Sequence, residues 1–162
     1  EDMNPLKVLN RGFGGAHTKH INRHIEKIVF SYEPKAIVFF CGTNDLNGWN
    51  TPEDVFSQFK IFYNSVKEKL PNTIVFAISI QPSPSRFDQR SRQVKWNNAV
   101  SSLADAEENL VFVDVSPPML SEKNEPRPEL YIEDMLHLNE RGYEIWTKIV
   151  RENLQNYFPE DF

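Results

Sequence analysis

The segment EDMLHLNERGY, Glu133 to Tyr143, sets Asp134 three residues ahead of His137, with Asn139 following just before a helical period. A carboxylate and an imidazole at that spacing can share one turn, the carboxylate fixing the tautomer that leaves the other ring nitrogen able to take a proton. Two more motifs carry groups suited to the same chemistry. NRGFGG, Asn10 to Gly15, contains three glycines, which let backbone N–H groups approach a ligand with no side chain in the way. GTND, Gly42 to Asp45, offers the side-chain amide of Asn44, a neutral donor. Acyl transfer needs a base, a carboxylate that orients it, and donors aimed at the oxygen that becomes negative in the tetrahedral intermediate. Asp134, His137, the Gly15 N–H and the Asn44 amide supply all of these except the nucleophile. Each motif alone also has a structural reading: a tight glycine turn, an Asn/Asp turn bonded to its own backbone, or a chance Asp–His spacing.

The elements that must hold these residues are legible in the apolar pattern. LKVLN, AIVFFC, TIVFAISI and LVFVDV are apolar or β-branched runs of strand length. Helical periods lie between them: Ile21, Ile25 and Ile28, then Val55, Phe59 and Phe62. The second period opens on Thr51 as N-cap, with Pro52 at the first helical position. Val94 to Leu103 reads as a third helix. Tyr143, Trp146, Val150 and Leu154 form the stripe of a last one, capped by Asn139 with Glu140 at its positive end. Continuous apolar strands alternating with amphipathic helices predict an α/β fold, a parallel flavodoxin-like sheet between two helical layers. All three motifs, and the proline-rich QPSPSR and SPPMLSEKNEPRPEL, then fall in loops at carboxyl ends of strands, where such sheets bind ligands.

A chain of 162 residues that is 40% hydrophobic predicts one domain with one core. Its 18 basic and 23 acidic side chains are mixed along the sequence, with no basic run to suggest nucleic acid as a partner. The longest apolar run, AIVFFC, is six residues, far short of the roughly 20 that cross a bilayer as a helix. The single cysteine, Cys41, cannot form an internal disulfide, and EDMNPLKVLN has no basic start followed by an apolar stretch. A cytoplasmic location is the expectation, subject to any leader in a preceding segment.

NRGFGG, GTND and DMLHLN, in that order, resemble the second, third and fifth conserved blocks of the SGNH (GDSL-like) hydrolases, and the resemblance runs along essentially the whole chain. QPSPSR and PRPELYIEDMLHLNERGYEIW resemble a bacterial branch similar to platelet-activating-factor acetylhydrolase-like esterases. The resemblance implies a serine esterase with no metal or organic cofactor, acting on small or short-chain esters through an acyl-enzyme. In it Gly15 and Asn44 are oxyanion donors, His137 is the general base and Asp134 its orienting carboxylate. Gly14 and Asp45 are expected beside the substrate; loop position alone puts Tyr131 and Phe87 along the acyl or alcohol pocket and Arg86 and Arg127 at the mouth of the site, the alternative for the arginines being surface pairing with nearby acids. The family's first block, a G-D-S or G-S-S motif ending a central strand ahead of NRGFGG, has no counterpart here, because only Glu1 to Leu9 precede that motif.

Ser31, Ser57 and Ser65 fall in or near helices, Ser79 in a strand, and Ser83 and Ser85 in a proline-rich loop, while G-x-S-x-G is absent. The expectation is a domain whose nucleophile lies on a polypeptide block outside these residues, or a second chain or further copy that completes the sheet. The alternative is a catalytically inactive SGNH-like domain that binds an ester or carbohydrate. His17, His20 and His24 share a helix face with Ile21 and Ile28, which favours packing over metal binding. Trp49, Trp96 and Trp146 read as core or loop anchors rather than a sugar-stacking platform.

Overall fold

The computed structural model describes residues 3–48 and 50–162; Trp49 lies outside the described residues. Two compact units are distinguished, one of residues 12–80 and 88–112, the other of residues up to 11, 81–87 and 113–162.

The first unit holds the sheet except for its last residue, Val113. β1 (Ala36–Phe39), β2 (Ile74–Ile78) and β3 (Leu110–Val113) lie in the order β1-β2-β3, with Ala36 opposite Ile74 and Phe39 opposite Ala77 in a parallel register. β2 is the middle strand, and Val75 to Ile78 are buried, as an apolar run covered on both faces should be. β1 is one of the two edge strands, and Val38 within it and Phe40 just after it stay 43% and 41% exposed. The helices are α1 (Thr18–Ile28), α2 (Thr43–Asn47), α3 (Pro52–Lys69) and α4 (Arg90–Ala104).

α3 starts where its sequence dictates. Thr51 accepts the Asp54 N–H at 3.1 Å, while the Asp54 carboxylate accepts the Thr51 N–H at 2.9 Å. This reciprocal cap satisfies two otherwise orphaned donors, and Pro52 supplies a pre-set first position. Val55, Phe59, Phe62, Tyr63 and Val66 then face inward. Phe62 stacks on Phe39 of β1 with ring centres 4.6 Å apart, and Phe59 meets the fully buried Trp96 of α4 at 5.8 Å. Burying each of these large side chains contributes about 1.5–3 kcal/mol. Trp96 is thus a core residue.

The second unit is built around α5 (Glu140–Tyr157) and the long loop before it. Asn139 caps α5, its side-chain oxygen accepting the Gly142 N–H at 3.2 Å. Met119, Leu130, Tyr131 and Leu138 form a small core with the flanking Ile145 and Trp146.

One sequence expectation is corrected. LKVLN forms no strand: no β-ladder includes residues 6–10, and Val8 and Leu9 are 57% and 63% exposed. A five-residue apolar run becomes a strand only against a partner ladder, whatever its propensity. Among the described residues no helix is long and apolar enough to cross a membrane.

Candidate active site

The candidate side chains fall into two groups, one in each unit. In the loop ahead of α5, the chain turns back on itself between an antiparallel bridge at Tyr131 and Leu138. The Ile132 N–H donates to the His137 carbonyl at 2.9 Å and the Met135 N–H to the Ile132 carbonyl at 2.9 Å. Met135 adopts a positive φ of 56° at the tip. One oxygen of Asp134 accepts the N–H groups of Leu136 and His137, both at 2.9 Å, and the other lies 2.6 Å from His137 Nδ1. The carboxylate therefore shapes the turn and aims the ring together. With Nδ1–H donating to Asp134, the neutral ring keeps its lone pair on Nε2, the arrangement a general base needs.

The hydrogen bond from the His137 ring, followed by those from the backbone N–H groups, holds the Asp134 carboxyl well below the usual carboxylate range, at about 2. A folded-state value below the unfolded one stabilises the turn above roughly pH 4 and loses that contribution as pH falls through about 2. Carbon-13 NMR of the Asp134 side-chain carboxyl is expected to titrate with a midpoint near 2. A midpoint near the ordinary value of about 3.9 would mean that the Asp134–His137 contact does not persist in solution.

Asn139 does more than its sequence position suggests. Its amide nitrogen donates to the carbonyls of Glu129 and Tyr131 at 2.9 and 3.1 Å, so one side chain caps α5 and pins the strand that enters the histidine turn. Gly142 explains how closely these pack: a Cβ placed there would lie 2.5 Å from the Leu130 carbonyl oxygen and 2.9 Å from Leu138 Cδ2. Helix propensity alone makes Gly→Ala favourable by up to about 1 kcal/mol, but a backbone clash must move α5 and costs roughly 1–3 kcal/mol. The clash outweighs the propensity. Gly142→Ala is expected to lower the melting temperature by several degrees in a thermal scan; an unchanged or higher value would show that α5 can shift freely.

Tyr131 is 5% exposed, its hydroxyl donates to the Pro82 carbonyl, and burial raises its pKa. The Ser85 N–H donates to the Met135 carbonyl at 3.0 Å, so QPSPSR is tied to the histidine turn at two points. Arg86 follows that loop, its N–H bonded to the Ser83 carbonyl at 3.1 Å and its guanidinium lowered in pKa by burial. Phe87 is half-buried. Arg127 is held by Glu129 at 2.8 Å and by the Pro118 carbonyl at 3.0 Å.

The candidate donors, Gly15 and Asn44, lie in the first unit. Gly15 has a φ of +69°, a conformation strained for any residue with a side chain, and a Cβ on either Gly14 or Gly15 would meet nothing within 4 Å. The backbone here is open to an approaching molecule. GTND forms α2 rather than an isolated turn, starting at Gly42, whose φ of +125° and 2.7 Å Cβ approach to Ile80 leave room for glycine alone. Asn44 donates one N–H to the Ala16 carbonyl at 3.1 Å. An amide nitrogen has two N–H groups, so this side chain can donate to more than one acceptor. Asp45 is 4% exposed, and both its oxygens accept the Thr18 N–H, at 3.1 and 3.2 Å. Its burial and its link to α1 were not readable from sequence.

His17 lies 3.8 Å from Asp45, and His20 accepts the His17 N–H at 3.3 Å. Among the described residues no group of three or more His, Cys, Asp or Glu is arranged to hold a metal ion. The Cys41 thiol is buried, and burial pushes it up to about 11, so it stays protonated and is no nucleophile at neutral pH. The hydroxyls of Ser57 and Ser65 donate to the carbonyls one turn back on α3, at 2.8 Å each, and Ser31 donates to Glu26 at 2.7 Å. Ser79 and Ser83 are buried, 0% and 1% exposed.

Residues 1–145 match the sequence model of the GDSL-like lipase/acylhydrolase family. The chain is 25% identical over 167 aligned residues to the platelet-activating factor acetylhydrolase IB subunit alpha2 of Rattus norvegicus, covering 99% of this chain and 69% of that protein. Among solved structures it is similar to a carbohydrate esterase family 3 protein from Talaromyces cellulolyticus, with a TM-score of 0.76 at 20% identity over 97% of this chain and 78% of that one. A GDSL-like lipase from Bacteroides thetaiotaomicron superposes with a TM-score of 0.75 at 21% identity, over 91% of this chain and 75% of that one.

Proposed function

The chain belongs to the GDSL-like lipase/acylhydrolase family, and from that premise we propose that it carries the base and the oxyanion donors of a serine esterase that cleaves short-chain carboxylic esters. Acetyl esters are the leading case, because the rat relative is named an acetylhydrolase. The observation that carries the reading is the Asp134–His137 pair, 2.6 Å apart on an exposed turn with Nδ1 facing the carboxylate. Asp134 shapes the turn through the Leu136 and His137 N–H groups, and its second oxygen holds the ring as an oriented base with Nε2 left to take a proton.

The nucleophile is a serine on a block outside these 162 residues, and the outer edge of β1, with Val38 and Phe40 exposed beside it, is where its strand pairs. His137 Nε2 removes the serine proton as the hydroxyl oxygen bonds to the ester carbonyl carbon. The carbonyl π pair moves to oxygen, which the Gly15 N–H and the Asn44 amide stabilise. Collapse expels the alcohol, protonated by the imidazolium that Asp134 steadies, and leaves an acyl-serine. Water, deprotonated by the same ring, repeats the sequence and releases the acid.

The test is intact mass spectrometry of the protein expressed from its complete reading frame, before and after a fluorophosphonate, together with an assay on p-nitrophenyl acetate. One phosphonyl adduct on a serine outside these residues, with turnover that the reagent abolishes, is the expected result. No adduct and no turnover would replace this reading by a non-catalytic domain that binds esters or carbohydrates.

A further inference from the structure

α1 begins at Thr18 behind His17, a residue without the short side-chain oxygen that usually caps a first turn. The His17 N–H is taken locally by His20 at 3.3 Å, and the Thr18 N–H by Asp45, 27 residues away, whose two oxygens accept it at 3.1 and 3.2 Å. Asp45 is held in turn: its carbonyl accepts the Gly48 N–H at 3.2 Å and the Asn50 amide at 3.1 Å. Its side chain also lies 3.8 Å from His17 Nδ1 and 3.9 Å from Cys41 Sγ. A carboxylate 4% exposed with both oxygens so engaged has no face to offer a substrate.

It has a different use. Gly15 lies three residues before Thr18, and Asn44 immediately precedes Asp45. The two donors are on loops 29 positions apart, and only cross-links fix their separation. Among them, Asn44 and the Cys41 thiol reach the Ala16 carbonyl at 3.1 and 3.7 Å, and Asp45 accepts the Thr18 N–H. We infer that Asp45 is a positioning residue for the oxyanion donors: by clamping the first amide of α1 it holds the Gly15 N–H and the Asn44 amide in the spacing that the developing anion requires. This rests on the esterase reading above. Preorganisation is what makes such donors effective, and misplacement by about 1 Å can cost on the order of 100-fold in rate.

The clamp can be cut from either end. Asp45→Ala removes the acceptor. Thr18→Pro removes the donor at a first helical position, where proline is tolerated, and His17, with φ −112° and ψ 153°, already has the extended conformation that precedes proline. In the complete protein, each substitution is expected to lower kcat on p-nitrophenyl acetate by about 10- to 100-fold, with KM within about threefold. The double variant should be no worse than the poorer single one, because both cut the Asp45–Thr18 bond, and Thr18→Val, which keeps the N–H but not the buried hydroxyl beside Cys41, should stay near the wild-type rate. Asp45→Asn, which keeps an oxygen for the Thr18 N–H, should recover most of the rate.

Folded Asp45→Ala and Thr18→Pro variants with wild-type kcat would overturn the inference, as would a Thr18→Val variant as impaired as Thr18→Pro, multiplicative losses in the double variant or an Asn variant as impaired as the Ala one. If Asp45→Ala does not fold, Thr18→Pro and Asp45→Asn decide in its place. The NMR signals of the Gly15 N–H and the Asn44 side-chain amide give a readout independent of turnover. Movement of both in Thr18→Pro is expected, and unchanged signals overturn the clamp. An inactive wild type with moving signals would fault the esterase reading and leave the clamp standing.

Discussion

Replacing His137 by alanine in the complete protein is expected to lower kcat for a short-chain ester by about 10⁴-fold or more, the scale on which a nucleophile–base pair acts as a unit. The serine hydroxyl is a poor nucleophile until a base takes its proton, and the imidazole here is held for that role by Asp134 at 2.6 Å from Nδ1. The fold should change little, since only the ring's bond to Asp134 is lost. His137 is exposed, with 68% of its side-chain surface accessible, and the turn is shaped by Asp134 bonding to backbone N–H groups that alanine retains. Exposed substitutions of this kind typically shift stability by no more than about 0.5 kcal/mol. A melting temperature near that of the wild type together with lost turnover therefore identifies chemistry. Activity within tenfold of wild type would show that some other group is the base, and the proposed mechanism would be abandoned.

Asn44→Ala is the second large effect, expected to cost about 10²- to 10³-fold in kcat, the usual consequence of removing one oxyanion donor. Part of the loss is structural, because the bond from Asn44 to the Ala16 carbonyl at 3.1 Å disappears too. That bond contributes about 0.5–1.5 kcal/mol to stability. Asn44→Asp preserves shape and size but loses both donors, the one to the Ala16 carbonyl included, so its melting temperature read beside its kcat separates the structural loss from the catalytic one. If the amide serves the oxyanion, aspartate is no better than alanine and should be worse, since a carboxylate repels the developing negative charge. An aspartate variant that keeps near-wild-type kcat would remove Asn44 from the oxyanion hole and leave it as a loop cross-link.

The sequence alone determined what depends on residues close together along the chain. The α/β class follows from continuous apolar runs alternating with periods of 3.6 residues, and β2 and α3 appear where those patterns place them. Both strong helix caps were legible, Thr51 for α3 and Asn139 for α5, because a cap is a bond from a side chain to an amide two or three residues on. The Asp134–His137 contact was legible for the same reason: three residues separate the partners, and one tight turn brings them together.

Only the tertiary structure decided contacts whose partners are far apart. LKVLN has strand composition and forms no strand, since a ladder depends on a neighbour that propensity does not supply. Asp45 reads as a polar loop residue available to a substrate. It is buried because α1, starting 27 residues earlier, brings the Thr18 N–H to its carboxylate. Tyr131 reads as a pocket residue, yet its hydroxyl turns inward to a carbonyl 49 residues away. Gly142 looks like a tolerated helix glycine until the Leu130 carbonyl is seen 2.5 Å from where a Cβ would stand. Local sequence selects conformation through bonds that close within one turn, whereas burial and long-range hydrogen bonds depend on the simultaneous placement of many segments, which no short pattern encodes.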